Sequence, residues 1–409
     1  MKKAILTLTL LLCTILQSFS QFEWQSTPCP ITENLTSVFF IDSNHGFVLS
    51  DGGTILETTD AGNVWLPMVP VSNMHAASIF FSDGLHGCLV GWVNGDTQSS
   101  LILLTTDGGD YWSFVEHIQV NRFNDVFFID NDKGWAVGSK DELNMNCIYY
   151  TDDGGETWID QTGILIVNAE LFGVSFRSET LGSTCGTDGA FFITNSGGTS
   201  WAMGISMPVL NLNDIYNFGV LTGCIVGDEG TALFTTNNWY QYIDQVSNTE
   251  ENLNAVSGAP ETNFLWACGD NGTIIYNSSY LLPWAPQVSN TTENLNDIQM
   301  LSPIEGWAVG DNGTILYFNP FSDVTSNYLS NCVQLLPNPV MDKMIIQIHD
   351  DKQFENLNIF SLNGKCLLTQ KLSRSDKEIL FDASQLENGL YILSLENGHE
   401  CICKRFIKH

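Results

Sequence analysis

Short apolar segments separated by polar turns recur along most of this chain, from about residue 24 to about residue 319. Each unit has an apolar segment, an acidic turn with Gly, a second apolar segment, Asp-Gly or Asn-Gly, and a third apolar segment followed by Thr-x-Asp-x-Gly and Trp. The units align on one residue of the first segment, with a mean spacing of about 43 residues: Val38, Ile79, Val126, Val174, Ile215, Val256 and Ile298. Long helical periodicity is missing. The pattern predicts seven copies of a unit of three or four antiparallel strands.

A tight hairpin is predicted within each unit. In residues 306–316, two apolar runs flank Asn312-Gly313, and both turn residues tolerate positive φ. Units of this kind cannot bury both faces of their sheet alone, so each must stack on the next. We therefore predict an all-β, seven-bladed β-propeller over residues 21–320.

The two ends of the repeat region are predicted to complete one sheet. The seventh copy stops at Asn319-Pro320 after three strands, whereas residues 22–25 precede the first copy without strands of their own. We expect residues 22–25 to form the outer strand of the seventh sheet. This pairing would remove a long exposed sheet edge.

The turn before each Trp is an Asp-box in several copies. Three copies fit well: Thr58-x-Asp60-x-Gly62, Thr105-x-Asp107-x-Gly109 and Thr151-x-Asp153-x-Gly155. The fourth has Ser196 in place of Asp, and the fifth keeps only a remnant at Asn237-Asn238-Trp239. Asp accepts bonds from its own turn, Gly supplies positive φ, and Trp packs between sheets. We expect structural roles, since calcium needs about six to eight converging oxygens.

These boxes, together with the Gly-Trp-Ala-Val-Gly phrase at residues 306–310, resemble the photosystem II assembly and stability factor family and its sialidase-like Asp-box relatives. The resemblance covers residues 22 to about 320. It implies a seven-bladed propeller that usually works as a binding scaffold. The photosynthetic role is not expected to carry over, because basic residues suited to it are scarce here.

The net charge of the chain limits the classes of partner that it is predicted to bind. The chain has 15 Lys and Arg against 46 Asp and Glu, which gives a net charge of −31, and nearly all of the excess lies before residue 331. A phosphate-binding surface needs the opposite sign, so binding to nucleic acid or to an anionic membrane is not predicted. With 44% apolar and 15% charged residues, the chain is predicted to be folded.

The N-terminus predicts export. Lys2 and Lys3, the apolar run 4–16 and the small-residue site at residues 18–20 are typical of a signal peptide, residues 1–20, cleaved before Gln21. Cys13 gives a lipoprotein alternative, which Leu12 disfavours because such a site requires a small residue there. No later stretch reaches the roughly 18 apolar residues of a membrane span, so a soluble mature chain without a span is expected.

One face of the predicted propeller is a candidate binding surface. In propeller topology, the turns between second and third strands open on the same face as the connections between blades. Acidic residues of the turns are Asp51, Asp188, Asp228, Glu229, Asp270 and Asp311, and those of the connections are Glu33, Glu250, Glu251 and Glu293. Turns favour Asp and exported proteins carry solubilising charge, which leaves a purely structural interpretation open. The functional alternative is a face that binds a cation or a basic partner.

No catalytic, cofactor-binding or metal-binding residue is predicted. A sialidase grips its substrate carboxylate with an arginine cluster, but the propeller region has only Arg122 and Arg177. His45 and His86 occupy one turn position of two copies, so they are expected at solvent and too far apart to form a metal pair. The alternative to a binding protein is a polysaccharide-acting glycoside hydrolase, which needs only two carboxylates about 5 to 9.5 Å apart, although no pair stands out.

Ten cysteines follow the signal peptide, and export permits disulfides. Pairs of cysteines share repeat positions inside strands, and these are expected to be buried free thiols: Cys88 with Cys224, and Cys185 with Cys268. Cys29 and Cys332 flank the two ends of the ring and could pair. Cys366 could pair with Cys401 or Cys403, and connectivity stays open.

A second domain is predicted after a linker at residues 321–334. Strands with turn signals between them, in residues 336–340, 344–348, 357–365, 379–386 and 388–395, and a basic end at 404–408 predict a small immunoglobulin-like β-sandwich over residues 335–409. These motifs in order resemble the type A C-terminal sorting domain of the type IX secretion system. The resemblance implies a Bacteroidota-type bacterium, passage through the periplasm and across the outer membrane, and interaction of residues 335–409 with that machinery. The alternative is an accessory immunoglobulin-like module.

The sequence thus predicts a secreted or cell-surface propeller that binds a protein or glycan and is carried outward by its C-terminal domain. Its ligand, its oligomeric state, and whether it is released or anchored are not predicted.

Overall fold

The computed structural model describes residues 23–319 apart from 69–73, 94–99, 116–117, 119, 141–144, 164–166, 220 and 261. It also describes residues 333–408 apart from 350–352, 355, 362–365, 374–376, 387–388 and 397–400. The predicted signal peptide, Phe22, His117 and Cys332 lie outside the described residues. The chain divides into two compact units, Met1–Phe318 and Asn319–His409.

Over its described residues, the first unit has seven four-stranded antiparallel sheets, which we number 1 to 7 in the order in which β2, β6, β10, β14, β18, β22 and β26 follow along the chain. Strand β1 (Trp24–Ser26) precedes sheet 1. Sheet 1 has β2 (Leu35–Phe40), β3 (Gly46–Ser50), β4 (Ile55–Thr58) and β5 (Leu66–Pro67). Sheet 2 has β6 (Met74–Phe81), β7 (Gly87–Val93), β8 (Ser100–Thr105) and β9 (Ser113–Phe114). Sheet 3 has β10 (Arg122–Phe128), β11 (Gly134–Ser139), β12 (Asn146–Thr151) and β13 (Ile159–Asp160).

The remaining sheets repeat this order. Sheet 4 has β14 (Leu171–Phe176), β15 (Gly182–Gly186), β16 (Phe191–Thr194) and β17 (Ala202–Met203). Sheet 5 has β18 (Leu212–Phe218), β19 (Thr222–Gly227), β20 (Ala232–Thr235) and β21 (Ile243–Asp244). Sheet 6 has β22 (Leu253–Gly258), β23 (Leu265–Gly269), β24 (Ile274–Asn277) and β25 (Ala285–Gln287). Sheet 7 has β26 (Leu295–Ser302), β27 (Glu305–Gly310) and β28 (Thr314–Phe318), with β1 as its fourth strand.

The seven sheets form a closed cycle through their first strands. Each of β2, β6, β10, β14, β18 and β22 contacts the first strand of the next sheet, and β26 of sheet 7 contacts β2 of sheet 1. The second strand is buried almost throughout, as in β3 and β27, because it has a neighbouring strand on either side. The fourth strand is short and mostly exposed, as in β5 and β9. The first strands therefore lie at the inner edge of each sheet and the fourth strands at the outer edge.

The N-terminal strand closes sheet 7, as predicted. Trp24 lies opposite Phe318 and Ser26 opposite Leu316, so the strand covers Trp24–Ser26 rather than residues 22–25. The Trp24 ring is fully buried, and its centroid lies 5.1 Å from that of Phe318. Its indole nitrogen donates a hydrogen bond to Gln287 of sheet 6 at 2.9 Å. The two ends of the repeat region thus share one hydrogen-bonded sheet.

Aromatic stacks join neighbouring sheets, and the Asp-box residue Trp65 packs between sheets as predicted, because it shares a core cluster with Val309 and Ile315 of sheet 7. Trp307 of β27 stacks on Phe40 of sheet 1 with ring centroids 3.6 Å apart, and the Asp-box residue Trp65 meets Phe40 edge-on at 5.8 Å. The same arrangement joins sheets 3 and 4, where Trp135 stacks on Phe176 at 3.5 Å. Because each stack uses rings from two sheets, it fixes their spacing as well as burying apolar surface.

The described part of the second unit has two antiparallel sheets. One contains β29 (Val333–Leu336), β30 (Lys343–Ile348) and β33 (Glu378–Asp382). The other contains β31 (Asn356–Ser361), β32 (Cys366–Lys371), β34 (Gly389–Glu396) and β35 (Cys401–Lys408). Both sheets contribute to a single hydrophobic core, with Met344 and Ile346 from one and Leu393 and Leu395 from the other. Strand β29 begins inside the predicted linker, because Val333 is already part of this core.

Candidate functional site

Four turns between second and third strands have the same backbone conformation. They are 3-10 turns at Thr187–Gly189, Asp228–Gly230, Asp270–Gly272 and Asp311–Gly313. Their middle residues are left-handed, with φ between 53° and 55°: Asp188, Glu229, Asn271 and Asn312. The following glycines also have positive φ, as the Asn-Gly pattern predicted. A Cβ on Gly272 would lie 2.1 Å from the carbonyl oxygen of Thr291, so the turn is pressed against the connection to the next sheet.

These turns and the connections between sheets lie together, and we call the surface that they form the turn face. The Glu229 amide donates to Asn252 in the connection to sheet 6, and the Asn271 amide donates to Asn294 in the connection to sheet 7. The amide of Asp51, in the corresponding turn of sheet 1, donates to the carbonyl of Asn34. The structure therefore brings both predicted sets of acidic residues to neighbouring positions.

Three predicted binding residues have internal roles on this face. Asp270 accepts hydrogen bonds from the side-chain amides of Asn252 at 3.0 Å and Asn254 at 3.1 Å. Asp228 and Asp311 are held by matching pairs of Asn. Asn254 also donates to the Leu295 carbonyl of the next sheet at 2.9 Å, so each Asp orients an amide that links two sheets. These three carboxylates act as structural hydrogen-bond acceptors, which agrees with the structural interpretation of the acidic turns.

The other acidic residues of the face are not held by pairs of Asn side chains. Glu251 accepts a bond from Asn271 at 2.7 Å, and Glu293 accepts one from Asn312 at 2.6 Å. Asp188 and Glu229 occupy exposed left-handed positions at the tips of their turns. Glu33 accepts a bond from the Ser50 hydroxyl.

An open cleft lies beside the turn of sheet 5. Its volume is about 550 Å³. It is lined mainly by polar residues of that turn and of the connection to sheet 6: Glu229, Gly230, Gln245, Val246, Ser247, Asn248, Thr249 and Glu250. Two carboxylates and one exposed apolar side chain, Val246, make this cleft suited to a basic ligand with some apolar surface.

Three further carboxyl groups lie at the inner edge of the ring, and the sequence analysis missed them. Asp125, Asp214 and Asp297 follow Asn in the first strands of sheets 3, 5 and 7. Burial raises the pKa of Asp125 to about 7 and that of Asp214 to about 8, and it also raises the pKa of Asp297. The thrice-repeated pattern Asn-Asp followed by Val or Ile was the available signal.

An aromatic and ionic cluster joins the first strands of sheets 2 and 3. The His75 ring stacks on Trp92 with centroids 3.9 Å apart, and the guanidinium of Arg122 lies 5.2 Å from the Trp92 centroid. Arg122 also pairs with the buried carboxylate of Glu170 at 3.4 Å, which Asn124 holds with a 2.8 Å bond. Burial lowers the pKa of His75. The cluster ties sheets 2, 3 and 4 together.

His45, His86 and the Asp-boxes make contacts within their own sheets. His45 and His86 lie in first-to-second-strand turns, as predicted, and pair with Glu57 at 2.9 Å and Asp83 at 3.0 Å. In each well-matched box the Asp accepts an amide from its own turn, as in Val64 to Asp60 at 2.9 Å. The prediction that the fifth box is only a remnant is wrong, because the hydrogen bonds of its turn are formed. Asn237 accepts an amide in place of Asp, and Trp239 adopts the left-handed conformation that Gly has in the other boxes.

The cysteines that the structure describes in the first unit are free thiols. Cys88, Cys185, Cys224 and Cys268 are buried, as predicted for the paired repeat positions, and so is Cys147. Cys29 is also free, which does not support its pairing with Cys332. The side chains of Cys366, Cys401 and Cys403 lie outside what the structure describes, so their pairing stays a prediction.

Two family models match this chain. One is described as photosynthesis system II assembly factor YCF48 and matches residues 16–119. The other is described as secretion system C-terminal sorting domain and matches residues 334–409. The chain thus has a β-propeller that is similar to photosystem II assembly factors, followed by a C-terminal sorting domain. The sorting domain indicates export through a type IX secretion system.

Curated relatives match part of the propeller. Photosystem II assembly lipoprotein Ycf48 of Synechococcus sp. (strain CC9902) is 31% identical over 146 residues, which are 34% of this chain and 40% of the relative. Photosystem II stability/assembly factor HCF136, chloroplastic, of Oryza sativa subsp. japonica is 29% identical over 141 residues, 33% of each chain. The match thus spans well under half of these relatives, which are named as assembly or stability factors and not as enzymes.

A solved structure has the same fold as the propeller. It is described as YCF48 bound to D1 peptide, and it superposes with a TM-score of 0.58 over 72% of this chain and 94% of its own, at 18% identity. This likeness establishes the fold alone.

Within its described residues, the propeller with its sorting domain has no group of three or more His, Cys, Asp and Glu placed to hold a metal ion. None of its described helices has the length and apolar character needed to cross a membrane. What the propeller does offer a ligand is the cleft beside sheet 5 and the exposed carboxylates around it.

Proposed function

We propose that this protein is an exported, non-enzymatic binding scaffold. In this proposal residues 21–320 form a seven-bladed propeller that presents its turn face to a protein or glycan. Residues 335–409 engage the type IX secretion machinery and deliver the propeller through the periplasm to the cell surface or the medium. The signal peptide, residues 1–20, starts this route.

The acidic turn face carries the binding proposal. Asp228, Asp270 and Asp311 are occupied as acceptors for Asn side chains, which fits a rigid support better than the two free carboxyls that a glycoside hydrolase requires. Glu229 of the turn and Glu250 of the connection to sheet 6 both line the cleft beside sheet 5. A YCF48 propeller solved with a D1 peptide supports a peptide as one class of ligand.

Export is tested by moving the sorting domain. We expect a periplasmic reporter fused to residues 331–409 to appear outside the cell in a bacterium with a type IX system. The measurement is the fraction of reporter in medium and on the surface, and the control is the same signal peptide and reporter without residues 331–409. A fused reporter that stays periplasmic like the control would refute the sorting role.

Binding is tested on an array of synthetic peptides and glycans probed with the purified protein. Basic peptides should dominate the hits, because Glu229 and Glu250 carry the charge of the cleft. We expect Glu229→Lys with Glu250→Lys to weaken these hits at least about tenfold at low salt, where charge pairs are least screened.

The matched control for this test is Glu23→Lys with Glu156→Lys, which changes the net charge equally at two exposed residues that do not line the cleft. Equal losses in both double variants would assign the effect to overall charge and contradict the proposed site. Bond cleavage in a glycan hit, lost on mutation of a single carboxylate, would show an enzyme instead.

A further inference from the structure

Side chains at the inner edge of the ring fasten each sheet to the next. Three of these bonds have a carboxyl group as acceptor, in the preceding sheet. The backbone amide of Val174 donates to Asp125 at 2.9 Å, that of Val256 to Asp214 at 2.8 Å, and that of Val38 to Asp297 at 2.8 Å.

Serine side chains bridge the other junctions. The amide of Asn217 donates to Ser175 at 2.9 Å, and that of Met300 donates to Ser257 at 3.0 Å. Ser37 accepts the Ile79 amide at 3.4 Å, and Ser78 donates to Asp125 at 2.8 Å. These bonds bridge all seven junctions, and we call their side-chain partners the inner belt: Ser37, Ser78, Asp125, Ser175, Asp214, Ser257 and Asp297.

The carboxyl groups of the inner belt occupy alternate sheets. Asp125, Asp214 and Asp297 hold the same strand position in sheets 3, 5 and 7. The other four sheets have small residues at that position: Ser37, Ser78, Gly173 and Ala255. In sheets 4 and 6 the serine two residues further along bridges the junction instead. The ring therefore has carboxyl-bridged and serine-bridged junctions of otherwise similar geometry.

The carboxyl groups face no cation among the described residues. Their hydrogen-bond donors are backbone amides and, for Asp125 and Asp297, the hydroxyls of Ser78 and Ser37. The titratable groups around them are each other and the buried thiols Cys185, Cys224 and Cys268. Cys185 lies opposite Gly173 and Cys268 opposite Ala255, in the sheets that lack the carboxyl. Ionisation thus adds negative charges that only neutral dipoles offset.

The three groups also oppose one another's ionisation. Burial is the main cause that raises the pKa of Asp214 to about 8, and the charges of Asp125 and Asp297 raise it further. The pKa of Asp125 rises to about 7 through burial, with a contribution from the charge of Asp297. Hydrogen bonds from Val174 and Ser78 act in the opposite direction without cancelling the burial. The groups therefore titrate as a coupled set.

We propose that protonation of the inner-belt carboxyl groups stabilises the ring. The junctions that these groups bridge are stable in acid and loosen in mild alkali. The direction of this pH dependence follows from the difference in bound protons between the folded and the unfolded chain. An unfolded Asp titrates near 4, so between about pH 4 and pH 8 the folded ring binds more protons than the unfolded chain, and stability falls as pH rises. Above the pKa values that these groups have in the folded ring, three negative charges lie at its inner edge, and they can be hydrated only if the junctions open.

The first test compares junctions within one molecule. Hydrogen exchange of the full chain, corrected for intrinsic rates, is followed from pH 6 to pH 9 at the amides of Val38, Val174 and Val256. The amides of Asn217 and Met300, which donate to serines, are the internal control. We expect the carboxyl-bridged set to lose about tenfold or more of its protection relative to the serine-bridged set. Equal losses, or none, would overturn the proposal.

The second test replaces carboxyls with residues that the ring already uses at the same position. Asp125→Ser, Asp214→Ala and Asp297→Ser are combined, and unfolding in urea is measured at pH 6, 7.5 and 9. The unfolding constant of the parent protein should rise on the order of 100-fold more over this range than that of the variant. Burial lowers the pKa of His75, so this group acts with the opposite sign, and it is common to both proteins. Identical pH dependence would contradict the proposal, and the exchange test stands even if the variant does not fold.

Discussion

Replacing Trp24 with Ala is expected to lower the free energy of unfolding of the propeller by about 3 to 5 kcal/mol. The ring is fully buried, stacks on Phe318 and donates a hydrogen bond to Gln287, so the variant loses packing, an aromatic contact and a bond to sheet 6. It also weakens the strand that completes sheet 7. Tryptophan fluorescence reports on this unit alone, since all 11 Trp residues lie before residue 319.

Leu66→Ala is the matched control for this prediction. Leu66 also lies on the outer strand of a sheet, but it is 63% exposed. Its truncation should change the free energy of unfolding by less than about 0.5 kcal/mol. Similar urea midpoints for the two variants would mean that the N-terminal strand does not close the ring in solution.

Gly269→Ala is expected to destabilise the propeller by about 3 kcal/mol, although its backbone is extended and any residue could adopt it. The reason is space: a Cβ at this position would lie 1.9 Å from the carbonyl oxygen of Asn252 and 2.9 Å from its carbonyl carbon. Because the obstacle is backbone, no side-chain rotation relieves the clash. The strands of sheet 6 would have to separate at the end that carries the turn face.

Thermal and urea unfolding by tryptophan fluorescence measure this effect, with Gly84→Ala as the control. The nearest atom to a Cβ on Gly84 is 3.9 Å away, in the side chain of Ile41, so that variant should behave like the parent protein. If Gly269→Ala were equally harmless, the close approach of β22 and β23 would be wrong.

The repeat pattern predicted the fold of the first unit in some detail. Seven units, the hairpin turns with positive φ at Asn312 and Gly313, and the N-terminal strand of sheet 7 could all be derived from spacing and turn chemistry. These features are local or repeat themselves seven times, so one sequence contains several copies of the same evidence. The start of β29 inside the predicted linker was missed because Val333 is buried by tertiary contacts and not by a local pattern.

The roles of individual carboxylates could not be derived in this way. Asp270 and Glu251 are both acidic residues near the turn face, yet two Asn side chains hold the first while a single Asn contacts the second. The difference depends on which amides the fold brings within 3.1 Å. Asp214 was missed for a related reason, because its position looks like that of any polar residue in a strand until neighbouring sheets surround it.

Sheet 7 combines strands from the beginning and the end of the repeat region, so its completion must be a late step in the folding of the newly made chain. Trp24 meets Gln287 across 263 residues of sequence, so the closing contacts cannot form until almost the whole unit has been synthesised. Contacts this distant in sequence form slowly. A nascent chain would therefore leave this sheet incomplete, with its outer edge unpaired, until β28 has emerged from the ribosome.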